Sequence, residues 1–296
     1  MLPARFSKRL REIGNDRSHG AIELAIEVVE AFERLSRSEA NVERREISSA
    51  IRSLADAQPA MVPIRNAAEI CREVIVEGKD ATAKMRRLRA LIEESRHQVA
   101  VNAASILPPD STVVTLSRSS TVIEALSMAA EKGRVRRLYV MESRPRLEGR
   151  TTARALARRG VECVLVADAE GPSIVRNADM AVVGADAVLR DGGVVNKVGT
   201  FPLSLACRDS GRMLCVLAES IKLDRRFDSK TWRGPERRDE SELLPREAGR
   251  VSALNVYFDL TAPSDVDCVV HEGGVSKRGW ARAMERVFER MTALSR

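Results

Sequence analysis

Between residues 6 and 99 apolar side chains recur every three or four positions with charges between them. Ile22, Leu24, Ala25, Val28, Val29 and Phe32 form one such stripe, and Met85, Leu88, Leu91 and Ile92 another. This spacing gathers them on one face of a helix, so the stretch reads as a helical unit of about four helices. The segment Ala57-Gln58-Pro59-Ala60-Met61-Val62-Pro63 interrupts it with two prolines and no charge, as a loop between helices does. Near 102–109 the rhythm changes, and Ile106-Leu107-Pro108-Pro109-Asp110 reads as the entry to a second domain, which divides the chain into 1–105 and 106–296. Apolar runs at 112–116, 137–141, 161–166, 180–183, 213–217 and 267–270 then read as strands, most of them followed by a helical pattern. Strands alternating with helices predict an α/β fold, a Rossmann-like, doubly wound and mostly parallel sheet, closed by a helix over 280–294.

Within this pattern residues 181–206 concentrate polar side chains at the end of a buried strand. An apolar run ends in Gly184-Ala185-Asp186, Asp191-Gly192-Gly193 turns the chain, and Asn196-Lys197 precede a helix starting near Gly199-Thr200. The carboxyl edge of a parallel sheet is where ligands sit, because helix N-termini there present unpaired amides to anions. An Asp, an Asn, a Lys and free amides suit a small phosphorylated polyol, with Asp186 kept for a hydroxyl or a proton. The plainer reading makes Asp186 a turn cap and Lys197 a solvated surface charge. The first strand delivers Ser117-Arg118-Ser119-Ser120-Thr121 to another helix start. Those hydroxyls can cap the helix, or they can bind phosphate with Arg118, whose guanidinium pairs two oxygens at once. No G-x-G-x-x-G follows that strand, so a dinucleotide is not implied.

Charge and composition narrow the partners. The formal charge is +7, yet Lys and Arg are scattered among acids over the whole length, without a basic block interleaved with aromatics. Nucleic acid is therefore not expected, and a small anion accounts for the charge as well. Only ten of 296 residues are aromatic, so aliphatic side chains must fill the core. Cys71, Cys163, Cys207, Cys215 and Cys268 are widely spaced and odd in number, which points to a reducing, cytoplasmic setting rather than a disulfide framework. His19, His97 and His271 are isolated, so neither a metal nor another cofactor is expected. The chain starts without an apolar leader and has no run long enough to span a membrane.

Four ordered stretches carry a family resemblance: Ser143-Arg144-Pro145-Arg146-Leu147-Glu148-Gly149-Arg150, the Gly184-Ala185-Asp186 to Asn196-Lys197-Val198-Gly199-Thr200 segment, Leu217-Ala218-Glu219-Ser220-Ile221-Lys222, and Asn255-Val256-Tyr257-Phe258-Asp259-Leu260-Thr261-Ala262-Pro263. Together they resemble the superfamily that holds methylthioribose-1-phosphate isomerase, ribose-1,5-bisphosphate isomerase and the alpha, beta and delta subunits of translation initiation factor 2B. In the isomerases, the resemblance implies, a Cys after the first strand and the Asp of Gly-Ala-Asp move protons between C1 and C2 of a sugar phosphate. Asp186 matches that Asp, but Ser117 stands at the place of the Cys, Gln58 where an Arg holds phosphate, and Glu148 where the enzymes have Gln. The Ser143–Arg150 stretch follows the delta subunits, whereas Asp186, Asn196 and Lys197 follow the enzymes. An Arg-Gly-Ala of the family near the N-terminus places Arg17 or His19 at the ligand, with Gly20 allowing close approach of the backbone.

The resemblance thus implies an initiation factor 2B-like, non-catalytic subunit acting in translation initiation. Its ligand is a phosphorylated sugar or nucleotide bound through Arg17, Gly20, Ser117, Arg118, Ser119, Ser120, Glu148, Asn196 and Lys197. The alternative is an aldose-ketose isomerase of the ribose-1,5-bisphosphate or methylthioribose-1-phosphate type, with Asp186 catalytic. A homodimer or a pair with a paralogous subunit is expected through the Asn255–Pro263 stretch. The charge-dense segment 224–250, with Trp232 and two prolines, leads toward that contact.

Overall fold

The computed structural model describes residues 2–38, 42–235, 237–244 and 250–295. Five helices come first: α1 (Ala4–Asn15), α2 (Ala21–Ser36), α3 (Arg44–Ala57), α4 (Val62–Glu77) and α5 (Ala81–Ile106). Their apolar stripes meet in one core in which Leu24, Val28, Phe32, Ile64, Met85, Leu88 and Ile92 are fully buried. The Phe6 and Phe32 rings meet edge to face at 5.0 Å, the arrangement their quadrupoles prefer. Pro63 near the start of α4, where its missing N–H costs nothing, and left-handed Gly78 at its end fix that helix's bounds. The expected four helices are five, and the change of rhythm at 102–109 is the end of α5.

The remaining elements are β1 (Ser111–Leu116), α6 (Ser120–Glu131), β2 (Val135–Met141), α7 (Glu148–Ala157), β3 (Glu162–Val166), the single turn α8 (Gly171–Ile174), β4 (Met180–Val183), β5 (Ala187–Leu189), β6 (Val194–Lys197), α9 (Thr200–Asp209), β7 (Met213–Leu217), β8 (Leu223–Asp224), β9 (Phe258–Thr261), β10 (Cys268–His271), β11 (Gly274–Ser276) and α10 (Trp280–Thr292). Seven strands form the main sheet in the order β11-β10-β7-β4-β1-β2-β3, all parallel except the edge strand β11. All six expected strands are present in it. Alternate residues of each strand face opposite sides. Val113, Leu138, Val140 and Val182 pack with Val99, Ala103 and Leu126 of α5 and α6. Val114, Leu116, Val183 and Val216 pack with Leu203, Cys207 and Met284 of α9 and α10.

Two features depart from the pattern read in the sequence. A second sheet, ordered β8-β5-β6-β9, grows out of the connection after β4, and Asn196 and Lys197 lie on its strand β6 rather than in a turn. The C-terminal helix does more than close the main sheet: Trp280 and Met284 pack on it, while Phe288 and Met291 one turn further on enter the core of the N-terminal helices. Segment 224–250 lies outside the described residues at 236 and 245–249; elsewhere it is anchored, since Phe227 and Trp232 pack against the cluster of Ala187, Leu189, Val195, Tyr257 and Phe258. No described helix is long and apolar enough to cross a membrane.

Candidate ligand cleft at the strand switch

From β1 the sheet extends one way to β2 and β3 and the other way to β4, β7 and β10. The connections leaving β1 and β4 therefore run to opposite faces, and a crevice opens between them at the carboxyl edge, which is where doubly wound sheets hold ligands. Ser117, Arg118, Ser119 and Ser120 enter this crevice from β1, Asp186 follows β4, Asn196 and Lys197 come from β6, and Glu148 from the first position of α7. The helical region covers it with Arg17, His19 and Gly20 ahead of α2 and Gln58 ahead of α4. All ten residues expected from the sequence line this one cleft, which is open to solvent.

The β1 end of the cleft is held by unusual backbone geometry. Ser117 has φ +64°, a region that residues with a Cβ seldom occupy. Its N–H donates to Ser143 Oγ at 2.7 Å and its carbonyl accepts from Thr152 Oγ1 at 2.7 Å, so the strain is fixed from both sides. Ser119 caps α6, accepting from the Val122 amide at 3.3 Å. Gly184 lets the β4 end approach it: a Cβ at Gly184 would lie 3.0 Å from Ser119 Oγ. Arg118 lines the cleft while donating to Glu23, Nη1 to Oε2 at 2.7 Å and Nη2 to Oε1 at 2.8 Å, which ties this loop to α2. Burial raises the Glu23 carboxyl pKa, but the Arg118 hydrogen bonds, the Gly20 amide and neighbouring cations outweigh it and hold it below the ordinary value.

Around Gly20 the protein itself leaves room for a side chain. A Cβ there would meet Glu23 Oε2 at 3.6 Å and the Arg118 carbonyl at 3.9 Å, ordinary contacts, and its backbone is extended. Its amide donates to Glu23 Oε2 at 2.8 Å, closing the first turn of α2. Next to it, His19 Nδ1 lies 2.8 Å from Asp16 Oδ2, and this hydrogen bond, with the charges of Asp16, Glu23 and Glu27, raises the imidazole above its ordinary pKa against the opposing effect of burial. Gln58 is buried, donating from Nε2 to the Asp16 carbonyl at 2.6 Å, so it braces this segment.

At the other wall the surface-charge reading of Lys197 fails, because the residue is 4% exposed. Its Nζ is 2.8 Å from Glu148 Oε1 and 4.7 Å from the Tyr257 ring centre, so a carboxylate and an aromatic face offset its desolvation. Glu148 Oε2 has no hydrogen-bond partner and remains able to accept one from a hydroxyl in the cleft. Asn196 is fixed by a 2.9 Å bond from Nδ2 to Thr200 Oγ1. The Asp186 amide donates to the Val195 carbonyl at 2.9 Å, which sets its half-buried side chain at the cleft.

One cation of the cleft was not singled out in the sequence. Lys222, just past β7 and also at the carboxyl edge, is 3% exposed and lines the cleft. Its Nζ lies 2.7 Å from Glu219 Oε2, and Thr121 at the start of α6 donates to Glu219 Oε1. The signal was a Glu and a Lys three residues apart directly after an apolar strand, a pair that a surface loop would not place beside Leu217 and Ile221. Tyr257 completes the wall behind Lys197.

The sequence profile of the Initiation factor 2 subunit family matches residues 17–278. The chain belongs to that family. A Pyrococcus horikoshii protein named as eIF-2B subunit 2-like is 32% identical over 281 residues, 93% of this chain and 97% of that protein. The crystal structure of the Pyrococcus horikoshii OT3 translation initiation factor eIF-2B superposes with a TM-score of 0.82 at 30% identity, covering 94% of this chain and 99% of that one. Ribose 1,5-bisphosphate isomerase of Haloferax volcanii is 29% identical over 253 residues, 80% of this chain and 76% of the enzyme. The family match thus spans the whole cleft, from Arg17 to Lys222 and Tyr257.

Proposed function

We propose that this chain is a non-catalytic, initiation factor 2B-like subunit of the cytoplasm that holds a phosphorylated sugar or nucleotide in the cleft and pairs with a second copy or a paralogue. The N-terminus of α6, with Ser119 and Ser120 and its first amides, supplies the anion end of the site, and His19, Lys197 and Lys222 add positive charge around it. Asp186, Asn196 and Glu148 are the groups that would order sugar hydroxyls.

The absence of catalysis rests on Ser117. An aldose-ketose interconversion needs a group that gives and takes protons at two neighbouring carbons. A serine hydroxyl does this at neutral pH only with a partnered base, and among the described residues the Ser117 hydroxyl makes no hydrogen bond to one; its backbone N–H and carbonyl are held by Ser143 and Thr152.

The second reading, a working sugar-1-phosphate isomerase, is favoured by the likeness to the Haloferax volcanii enzyme and by Asp186, Asn196 and Lys197. Ribose 1,5-bisphosphate separates the two. A rise in melting temperature without formation of a ketose, followed by carbon NMR, is expected; turnover to the ketose would establish the isomerase, and neither binding nor turnover by any sugar phosphate or nucleotide would remove both.

A further inference from the structure

Just ahead of β9 the chain lies against a segment from earlier in the same connection. Arg237 bridges Val256 in the antiparallel sense, and the Arg238 amide donates to the Asn255 carbonyl at 2.9 Å. Asp239 then caps a short turn, accepting from the Ser241 amide at 2.9 Å, and the turn ends at Glu242. Tyr257 Oη donates to this carboxylate, 2.5 Å from Oε1 and 2.6 Å from Oε2. Asn255 Nδ2 donates to Oε2 at 2.7 Å, and Arg146 Nη1 stands 3.5 Å from Oε1. Burial raises the Glu242 carboxyl pKa, but the hydrogen bonds from Tyr257 and Asn255 and the charge of Arg146 outweigh it and hold it below the ordinary value. Burial and the Glu242 carboxylate push the Tyr257 hydroxyl the other way, up to about 12, so the phenol keeps its proton and remains the donor around neutral pH.

Two partners of this carboxylate support the Lys197–Glu148 pair. Tyr257 is 6% exposed, lines the cleft and sets its ring centre 4.7 Å from Lys197 Nζ. Arg146 lies two residues before Glu148, in the loop that enters α7. Glu242 thus stands behind both members of the pair without lining the cleft itself. Asn255, buried and donating to the Asp239 carbonyl at 2.7 Å as well, keeps the carboxylate in place. A phenol as buried as this one must place its hydrogen bond, because a buried donor left without an acceptor bears the full cost of its lost hydration. Deprived of Glu242, the ring would have to turn or shift toward water, and Lys197 would lose the aromatic face beside it.

We infer that Glu242 is a positioning residue for the cleft. It fixes the Tyr257 ring through the hydroxyl and the loop ahead of Glu148 through Arg146, and so holds Lys197 in the arrangement from which it meets an anion. This role rests on the reading of the cleft as the ligand site. In the sequence Glu242 is one acid among many in a charge-dense stretch, and only the fold brings it to Tyr257.

Ribose 5-phosphate, titrated by calorimetry into the full chain, reads the effect. Glu242→Ala should weaken its binding about tenfold, the lower end of what a hydrogen bond to a charged group contributes. Glu242→Gln still offers Tyr257 an acceptor and should recover most of that loss. Glu240→Ala removes an exposed acid from the same turn and should bind as the wild type does. In a Tyr257→Phe background, where no hydroxyl needs an acceptor, Glu242→Ala should cost little further. Unchanged or tighter binding by Glu242→Ala would overturn the role. So would equal losses in Glu242→Ala and Glu242→Gln, or a full tenfold loss from Glu242→Ala in the Tyr257→Phe background. Failure of the wild type to bind ribose 5-phosphate bears on the cleft reading alone, and chemical denaturation then decides the positioning. Glu242→Ala and Lys197→Ala together should shift the midpoint by less than the sum of their separate shifts, and additive shifts would overturn the role.

Discussion

Lys197 and Glu148 are held 2.8 Å apart across the cleft, Nζ to Oε1, from strand β6 and the first residue of α7. The pair joins the second sheet to the main one, and it balances the cation that a phosphate would otherwise meet. Removing one partner leaves the other charge buried and uncompensated. Lys197→Ala should therefore lower stability by about 3 kcal/mol, in contrast to a surface lysine, where changes stay within about 0.5 kcal/mol. Chemical denaturation of both proteins measures this, and an unchanged midpoint would return Lys197 to the surface class.

Glu148→Gln tests the same pair in the opposite sense. An amide keeps the hydrogen bond to Nζ and removes the negative charge from the wall of the cleft. Affinity for a sugar phosphate should rise about tenfold, a gain near 1.4 kcal/mol, because the lysine then answers to the ligand alone. A fall in affinity would mean that Glu148 orders a sugar hydroxyl through its unpartnered Oε2 and that this outweighs its charge.

The pH dependence of binding should follow His19. Its partner Asp16 lifts the imidazole above its ordinary 6.5, with Glu23 and Glu27 adding charge in the same direction. A raised pKa means that the protonated form is favoured in the folded chain: the contribution to stability is complete below about 6.5 and is lost as pH rises through the folded value. A phosphate in the cleft would lift it further. Sugar phosphates lose their second proton near pH 6, so the ligand is already a dianion in this window. Affinity should then fall from pH 6.5 upward, and His19→Gln should flatten the profile. A profile that is the same in the variant would exclude His19 from the ligand.

Much of this architecture was legible in the chain because its signals are local. The six parallel strands are apolar runs bounded by turns, and every candidate residue sat at a strand end or helix start, positions that the doubly wound topology brings to one edge. What escaped depends on tertiary context. Ala187–Leu189 and Val194–Lys197 are too short to show alternation, although the Asp191-Gly192-Gly193 turn between apolar flanks was itself a hairpin signal. The burial of Lys197 and Lys222 could not be read from their own residues, since it is made by Tyr257 and by Glu219 pairing with Thr121. That Arg118 is held by Glu23, ninety-five residues away in the chain, could likewise not be read from its own loop.

Assembly is the next expectation. Strand β9 is an edge of the second sheet, and Leu254 just before it is 65% exposed, with Val251 at 63%. Among the described residues no further strand joins β9 on that side, and a sheet edge beside exposed aliphatic side chains is a surface that a second copy can cover in the isologous manner common to dimers. Light scattering at micromolar concentration should give twice the 32.6 kDa of one chain. Leu254→Asp should shift it to a single chain, since a carboxylate buried in an apolar contact lacks a partner. A single chain's mass for the wild type would refute the pairing.

Ser117 separates the two functions most directly. Its left-handed φ of +64° is what the backbone after β1 imposes, and Ser143 and Thr152 hold it there whichever side chain it carries. Ser117→Cys should therefore fold as the wild type does, and it would place a thiol, with a reference pKa near 8.5 and a few per cent thiolate at neutral pH, at the position where the isomerases it resembles carry one. Little or no turnover of ribose 1,5-bisphosphate is expected from this variant. Glu148 would still hold a carboxylate against Lys197, and Gln58, buried and donating to the Asp16 carbonyl, would not supply the cation that an Arg gives at its place. Adding Glu148→Gln and Gln58→Arg to Ser117→Cys should raise turnover above the single variant. Ketose formed by Ser117→Cys alone would show that the thiol is the one missing part, and ketose formed by the unmutated chain would show that none is missing.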